Sequence, residues 1–262
     1  MAGIFKDNLL AGKVAYITGG SSGIGQGMAD RLAEHGATVV IQGRNQEKLD
    51  EAVKRIEAAG GKAAGVAVDV RDYAATEAAL AKCHADYGTI DVLIAGAAGN
   101  FPAPVTGMSA NGFKAVIDID LLGTFNVCRA AYQFLTKPGA SVIAISAGQA
   151  DTPMAYQAHV CAAKAGINLL IQSLALEWGP DGIRLNCIAP GPTEDTEGMR
   201  RLAPTAEHRA KVLTRVPLGR YGTKDELADL ALFLCTPAAS YISGTILRCD
   251  GGSGIAGRGL SV

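Results

Sequence analysis

Short apolar runs rich in β-branched residues alternate along the chain with longer segments whose apolar positions recur at helical spacing. The runs are typical of buried parallel strands and cover Val14–Ile17, Ala37–Gln42, Ala63–Val68, Asp91–Ala95, Ser141–Ser146, Ile183–Ala189 and Thr245–Arg248. Helices are predicted over about Gly23–His35, Asn45–Ala59, Tyr73–Tyr87, Asn111–Leu135, Met154–Trp178 and Lys224–Cys235, with Asn45 as an N-cap. Residues 190–220 are predicted to be irregular.

This alternation predicts the α/β class, as a doubly wound Rossmann fold in which a parallel seven-stranded sheet carries helices on both faces. No internal repeat or low-complexity linker divides the chain, so residues 1–262 are predicted to form a single domain. In such a fold a nucleotide binds at the carboxyl ends of the strands.

The first predicted strand runs into a glycine-rich turn, from which a helix begins. Free backbone N–H groups and the positive end of the helix dipole meet there, which suits a phosphate. Glycine lets a pyrophosphate approach the backbone and permits positive φ. An ordinary loop is the alternative, but the strand before the turn and the helix after it favour a cofactor site. The residues predicted to bind it are Gly19, Ser21, Ser22, Gly23, Ile24 and Gly25.

The composition of the chain limits the kinds of molecule that it is expected to bind. Apolar residues make up 48% of the chain, and a net charge of −1 argues against nucleic acid or an anionic membrane surface. The longest uncharged stretch, residues 92–113, is interrupted by Gly, Pro and Asn, so no membrane span is expected there, and no signal peptide is expected either. The six cysteines form no Cys-x-x-Cys pair, which predicts reduced thiols, no metal site and a cytoplasmic protein.

The pattern Thr18-Gly19-x-x-x-Gly23-Ile24-Gly25 resembles the fingerprint of the short-chain dehydrogenase/reductase family, and the resemblance extends over nearly the whole chain. It implies a nicotinamide cofactor. An acid after the second strand would bind the ribose of NAD, whereas this chain has Gly43-Arg44-Asn45, and Arg suits the 2′-phosphate of NADP. We therefore expect NADP(H) to be bound by Arg44, although a lone Arg can also be a plain surface charge.

The same resemblance assigns further cofactor contacts along the chain. Asp69 matches the family position that contacts the adenine, although an Asp there can equally cap a helix. The turn after the sixth strand would lie behind the nicotinamide. The remaining residues expected to contact the cofactor are Val70, Ala97, Lys164, Pro190, Gly191, Pro192 and Thr193.

The catalytic positions depart from the family pattern of Asn, Ser, Tyr and Lys. Lys164 lies in a segment that matches the family's lysine helix, but the Tyr expected four residues earlier is Val160. The Ser is Ala147, and the Asn is Asp120. In the family, Tyr donates a proton to the carbonyl oxygen while Lys lowers the pKa of that Tyr. Simple ketone reduction by that route is therefore not expected here.

An acid facing an amine could instead order and polarise a water that protonates carbon. We expect Asp120 and Lys164 to be this pair, although Asp120 could also serve only packing and Lys164 only the nicotinamide ribose. Three nearby side chains are weaker candidates for proton transfer. Tyr156 is expected two turns before Lys164 and rotated away, His159 faces a different side of the helix, and Ser146 lies one place from the family position.

Several stretches resemble one branch of the family, the NADPH-dependent 2,4-dienoyl-CoA reductases, and their peroxisomal type most. They are Ala97-Ala98-Gly99-Asn100-Phe101, Asp118-Ile119-Asp120, Gly123-Thr124-Phe125-Asn126, Ala189-Pro190-Gly191-Pro192 and Thr196-Glu197-Gly198. The resemblance implies that Asp120 and Lys164 activate the protonating water and that Asn100 and Phe101 border the acyl site. Gly259-Leu260-Ser261-Val262 is not a peroxisomal address, which favours the cytoplasm. The usual Asn pair after the fourth strand is replaced by Ala95-Gly96.

Residues 190–220 correspond to the family's mobile substrate lid, with Gly191 and Gly198 as possible hinges. From 199 to 220 the segment carries six basic residues against one acid, Glu207, which suits the phosphates of coenzyme A, although most such runs are solvated helix faces. We assign Arg200 and Arg201 to substrate binding. The family also implies a homotetramer.

Three functions remain open from the sequence. The first is reduction of a conjugated enoyl thioester, most simply a 2,4-dienoyl-CoA, with NADPH. The second is reduction of another substrate with Tyr156 or Ser146 as the proton donor. The third is NADP binding without catalysis.

Overall fold

A computed structural model describes residues 5–256, and its seven strands form one parallel sheet in the order β3-β2-β1-β4-β5-β6-β7. The strands are β1 (Val14–Thr18), β2 (Thr38–Gly43), β3 (Lys62–Ala67), β4 (Val92–Ala95), β5 (Ser141–Ile145), β6 (Arg184–Pro190) and β7 (Ile246–Cys249). The predicted doubly wound α/β fold is confirmed. The chain order reverses between β1 and β4, and this switch point is where such sheets bind nucleotides.

Nine α-helices surround the sheet in the described residues. They are α1 (Gly23–Glu34), α2 (Gln46–Ala58), α3 (Tyr73–Tyr87), α4 (Ala110–Val116), α5 (Gly123–Ala131), α6 (Ala158–Trp178), α7 (Glu197–Leu202), α8 (Ala206–Leu213) and α9 (Lys224–Cys235). The predicted N-cap is present, because the Asn45 side chain accepts a hydrogen bond from the Lys48 N–H.

Successive residues of the central strands enter two separate apolar layers. In β1, Ala15 and Ile17 pack with residues of α1, α2 and α9, whereas Val14 and Tyr16 pack with residues of α3, α5 and α6. Side chains of a strand alternate between the two faces of a sheet, so a strand covered on both sides must be apolar throughout. This explains the uninterrupted apolar run that predicted β1.

The long helix predicted over Asn111–Leu135 is interrupted. Residues Ile117–Leu122 form a π-helical turn between α4 and α5, and Asp120 within it is completely buried. Such turns occur mostly as single insertions, often at functional sites. Because the apolar pattern continues through the turn, periodicity does not reveal it.

The helix that carries Lys164 begins at Ala158, four residues later than predicted. Tyr156 has φ of +65°, a left-handed conformation that an α-helix excludes. The placement of Tyr156 two turns along this helix is therefore wrong. The segment 190–220 is not wholly irregular, since α7 and α8 lie within it, capped by the side chains of Thr196 and Thr205.

By length and composition alone, the helical segment Ala158–Asp181 is long and apolar enough to cross a membrane. In the structure, α6 packs along β6 and against the π-helical turn. A long apolar helix that covers a sheet has the same properties. The sequence on which the peroxisomal address was judged, residues 259–262, lies outside the described residues.

Candidate active site and cofactor cleft

A cleft of about 500 Å³ opens at the switch point between β1 and β4. It brings together seven of the predicted cofactor residues: Gly19, Ser21, Ser22, Arg44, Asp69, Val70 and Ala97. Its other lining residues are Gln42, Gly43, Asn45, Lys48, Val68, Ala98 and Ile119. Most of the fourteen lining residues lie at the end of β2 or shortly after β2, β3 or β4, so their common signal is position at the carboxyl end of a parallel strand.

The glycine turn packs closely against neighbouring backbone only because it lacks side chains. Gly19 has φ of +73°, and a Cβ on it would lie 2.8 Å from the carbonyl oxygen of Gly96. A Cβ on Gly25 would lie 2.4 Å from the carbonyl oxygen of Gly19. The N-cap of α1, Ser22, makes no side-chain capping hydrogen bond, so the first N–H groups of α1 remain available to an anion.

The far end of the cleft is positively charged. Arg44 and Lys48 are exposed on its wall, and the two residues directly after β2, Arg44 and Asn45, carry no carboxylate. Asp69 hydrogen-bonds Arg71, with 2.6 Å between Oδ2 and Nη2. This bond is the main cause of a lowered pKa for Asp69, so the carboxylate stays charged at neutral pH. Asp69 is not the helix cap considered above, because Asp72 caps α3.

The turn after β6 lies near the glycine turn. The side chain of Thr193 donates to the carbonyl of Gly191, and Thr196 donates to the carbonyl of Thr193. A Cβ atom added to Gly23 would lie 4.0 Å from Thr196 Cγ2, so the segment after β6 approaches the start of α1 closely. The predicted residues Pro190–Thr193 are thus held at the same end of the sheet as the start of α1, although they do not line the cleft described above.

Asp120 and Lys164 meet as predicted from their positions in the sequence. Asp120 Oδ2 lies 3.1 Å from Lys164 Nζ, and the two side chains are 0% and 7% exposed. Asp120 Oδ1 accepts a hydrogen bond of 2.6 Å from the Gly99 N–H, while Lys164 Nζ donates one of 3.0 Å to the carbonyl of Ile145. The contact to Lys164 is an ion pair without hydrogen-bond geometry, so Oδ2 has no hydrogen-bond partner among the described residues.

Within residues 5–256, neither Ser146 nor Tyr156 replaces the missing Tyr and Ser. Val160 and Ala163 pack against Val116 in a small apolar cluster. Ser146 is buried and donates to Asn168 Oδ1 at 2.5 Å, so its proton is already engaged. Tyr156 is 61% exposed on a turn before α6. Neither hydroxyl is placed to protonate a substrate beside Lys164.

Two of the predicted substrate residues, Asn100 and Phe101, form a wall beside this pair. Phe101 packs against the same apolar cluster, and its ring lies 4.5 Å from that of His159. Arg201 Nη1 donates to the carbonyl of Asn100 at 2.9 Å and so joins α7 to this wall. Arg200 is exposed and paired with Glu197 on α7. The contact with His159 was not anticipated, because the course of the loop beside α6 cannot be deduced from helical spacing.

The fold and the cleft at its switch point define a Rossmann-type dinucleotide-binding protein. A family model described as enoyl-(acyl carrier protein) reductase matches residues 19–254. The chain therefore belongs to the short-chain dehydrogenase/reductase family, and it is an oxidoreductase.

The chain is similar to several known members of this family. The chain is 44% identical over 253 residues to the peroxisomal 2,4-dienoyl-CoA reductase of Rattus norvegicus, named as (3E)-enoyl-CoA-producing, with 95% of this chain and 86% of the rat protein covered. It is 42% identical over 243 residues to a probable (2E)-enoyl-CoA-producing 2,4-dienoyl-CoA reductase of Bacillus subtilis, covering 92% and 96%. A short chain dehydrogenase from Burkholderia cenocepacia in complex with NADP superposes with a TM-score of 0.87 at 31% identity, covering 94% and 99%.

Proposed function

We propose that this protein reduces a 2,4-dienoyl-CoA with NADPH. The observation that carries the proposal is the buried pair of Asp120 and Lys164, 3.1 Å apart, in a site without a hydroxyl donor. The 2,4-dienoyl-CoA reductases of rat and Bacillus subtilis, at 44% and 42% identity, support this substrate class, and the (3E)-enoyl product in the rat protein's name supports protonation next to the carbonyl.

The preference for NADPH is supported by charge. Arg44 would donate to the 2′-phosphate, with Lys48 one turn into α2 adding a second positive charge, and no acid stands directly after β2 to repel it. The Burkholderia cenocepacia relative was crystallised with NADP. The glycine turn fits the pyrophosphate, because its tight backbone packing leads directly into α1, whose first N–H groups have no side-chain cap. When bound, the cofactor supplies a hydride to the far end of the diene.

The protein must then supply a proton to carbon. The free lone pair of Asp120 Oδ2 can hold a water, and the ammonium of Lys164, 3.1 Å from Oδ2, can polarise the same water. The dienolate that forms after hydride transfer takes a proton from this water at the carbon next to the carbonyl, and the hydroxide that remains takes a proton from the Lys164 ammonium, which regains one from solvent. The fixed Gly99 N–H holds the carboxylate in one orientation during the transfer.

The coenzyme A portion would bind under the basic lid. Arg200 and Arg201 are exposed on α7, and Arg201 already contacts the wall that carries Asn100 and Phe101. Their guanidinium groups suit phosphates. Gly191 and Gly198 would let the lid move.

A homotetramer in the cytoplasm completes the proposal. The exposed apolar side chains of Leu122, Phe125, Leu169 and Leu176 lie on or beside helices α5 and α6 and would be covered by a second copy. All six cysteines are free, which suits a reducing compartment.

The test is consumption of NADPH, measured by its absorbance, with a 2,4-dienoyl-CoA, a simple ketone or no substrate. Turnover of the dienoyl-CoA alone supports the proposal. Turnover of the ketone would show that a hydroxyl donor operates after all, and binding of NADPH without turnover of either substrate would leave a cofactor-binding protein.

A further inference from the structure

Buried polar groups without partners are concentrated at one place in the structure. Across residues 5–256, eight buried side-chain polar atoms lack a hydrogen-bond partner, and five of them belong to Asn100, Asp120, Gln157 and His159. All four residues belong to or touch the segment Gly99–Phe101. Native proteins satisfy nearly all buried polar groups, so a cluster of exceptions indicates a place where a bound molecule completes the bonding.

His159 is the most exceptional member of the cluster. It is completely buried, and neither Nδ1 nor Nε2 has a partner. A neutral imidazole carries one donor and one acceptor, so both capacities are unused. Its ring is held against Phe101 at 4.5 Å, with 43° between the planes. It lies in the first turn of α6, one residue before Val160, the position of the missing tyrosine.

The proposed reaction requires a hydrogen-bond donor that has not been assigned. After hydride transfer the negative charge of the dienolate resides largely on the thioester oxygen, and donors fixed at such an oxygen contribute strongly to catalysis. The Gln157 amide donates to the carbonyl of Phe101, and the Ser146 hydroxyl donates to Asn168. Lys164 is engaged by Asp120 and Ile145.

We propose that His159 donates a hydrogen bond to the thioester carbonyl oxygen of the bound substrate, in place of the hydroxyls that this chain lacks. The inference rests on the proposed function. The Phe101 ring lies against the imidazole, so the proposal requires this ring to turn aside when the acyl group binds. The hydrogen bond from Arg201 to the Asn100 carbonyl connects this wall to the lid. The proposal requires this hydrogen bond to break when the Phe101 ring moves.

The test compares His159→Phe, which keeps an aromatic ring against Phe101, with His159→Gln, which keeps an N–H donor. Binding is measured for two saturated ligands, an acyl-CoA thioester and the S-alkyl-CoA thioether that lacks only the carbonyl oxygen. His84→Phe is the matched control, because that histidine also packs against a phenylalanine and has an unpartnered Nδ1, but it lies on α3.

For His159→Phe we expect kcat to fall by about 10²-fold, the usual effect of removing one oxyanion donor, with unchanged affinity for NADPH. His159→Phe should bind the thioester more weakly than wild type does and the thioether equally well. His159→Gln should recover part of the lost kcat and part of the lost thioester affinity. Equal weakening of thioester and thioether, or kcat within threefold of wild type, would overturn the inference and leave a packing residue or a buried-water site.

If His159→Phe does not fold, the infrared carbonyl stretch of a ¹³C-labelled thioester bound to wild type and to His159→Gln decides the question. A carbonyl frequency that is lowered in wild type and changed in the variant supports the hydrogen bond, and an identical frequency in both refutes it. Failure of the proposed function is distinct, because wild type would then turn over no dienoyl-CoA at all.

Discussion

Asp120→Asn separates the chemical role of the buried acid from its structural role. The amide retains an oxygen for the Gly99 N–H and almost the same volume, but it removes the negative charge 3.1 Å from Lys164 Nζ. It also places at this position the residue type that the family ordinarily has. A loss of activity in this variant would therefore report on the charge rather than on shape.

Two magnitudes follow from the geometry. At 3.1 Å the gross attraction between the charges is on the order of 5 kcal/mol at an effective dielectric constant of 20, and desolvation offsets much of it. Removing one partner should cost about 2 kcal/mol of unfolding free energy, below the range for isolated buried pairs, because the Ile145 carbonyl still accepts from Lys164. The melting temperature should fall by about 4–8 °C. The kcat should fall by about 10²-fold or more, the usual contribution of a proton-transfer group.

The assay is steady-state NADPH consumption with a 2,4-dienoyl-CoA, alongside fluorescence titration of NADPH binding and thermal unfolding. Asp118→Asn is the matched control, since it removes an acid from the same π-helical turn, where Asp118 pairs with Lys114 near the surface. We expect it to leave kcat within about twofold. If Asp120→Asn lowered the melting temperature as expected but kept kcat within threefold of wild type, the acid would be structural and the proposed protonation would be wrong.

Three further predictions address the cofactor, the product and stability. Arg44→Ala should weaken NADPH binding about 10- to 100-fold and leave NADH binding unchanged, because it removes charge-assisted bonds to the 2′-phosphate; fluorescence titration of both cofactors measures this. Turnover in D₂O should place one deuterium on the carbon next to the carbonyl and give the 3-enoyl product, whereas NMR showing label two carbons further along would refute that protonation site. Arg220, with the Thr223 N–H, lowers the pKa of Glu226 from 4.5 to about 2. The stability from this carboxylate is therefore complete above pH 4.5 and lost as pH falls towards 2. Because the carboxylate is 40% exposed, urea unfolding should show Glu226→Gln destabilised by only about 1 kcal/mol at pH 7, with the difference vanishing near pH 2.

The sheet could be predicted because its strands are buried on both faces. Their apolar runs are short and uninterrupted, and the predicted strands β1 and β5 differ from the observed ones by a single residue at one end. The π-helical turn at Ile117–Leu122 could not be predicted, because its apolar residues continue the pattern of the neighbouring helices. The buried position of Asp120 within the turn therefore has no signal in the sequence. Helices α7 and α8 were missed because none of their residues is buried, so they carry no strong periodic signal.

The parts of the site that could be predicted are those that depend only on sequence spacing from Lys164. The loss of Tyr and Ser could be recognised by counting back from Lys164, and the observed site has no hydroxyl in their place. Distances between elements could not be counted. The Gly99 N–H that fixes Asp120 is 21 residues away in sequence, and the contact of His159 with Phe101 depends on how the loop after β4 crosses the start of α6.

The absence of hydroxyl donors also bears on substrate choice. Hydride addition to a ketone leaves an alkoxide, whose localised charge requires a proton at oxygen from a nearby acid. Lys164 is held by Asp120 and Ile145, and the hydroxyl of Ser146 is engaged with Asn168, so a strong donor to oxygen is not offered. Hydride addition to a conjugated thioester instead spreads the charge over oxygen and carbon, so a hydrogen bond at oxygen and a water at carbon suffice. A site that protonates carbon through a buried carboxylate should therefore exclude ketones on chemical grounds even where their shape fits, and a ketone that binds competitively without turnover would be the direct sign of this selection.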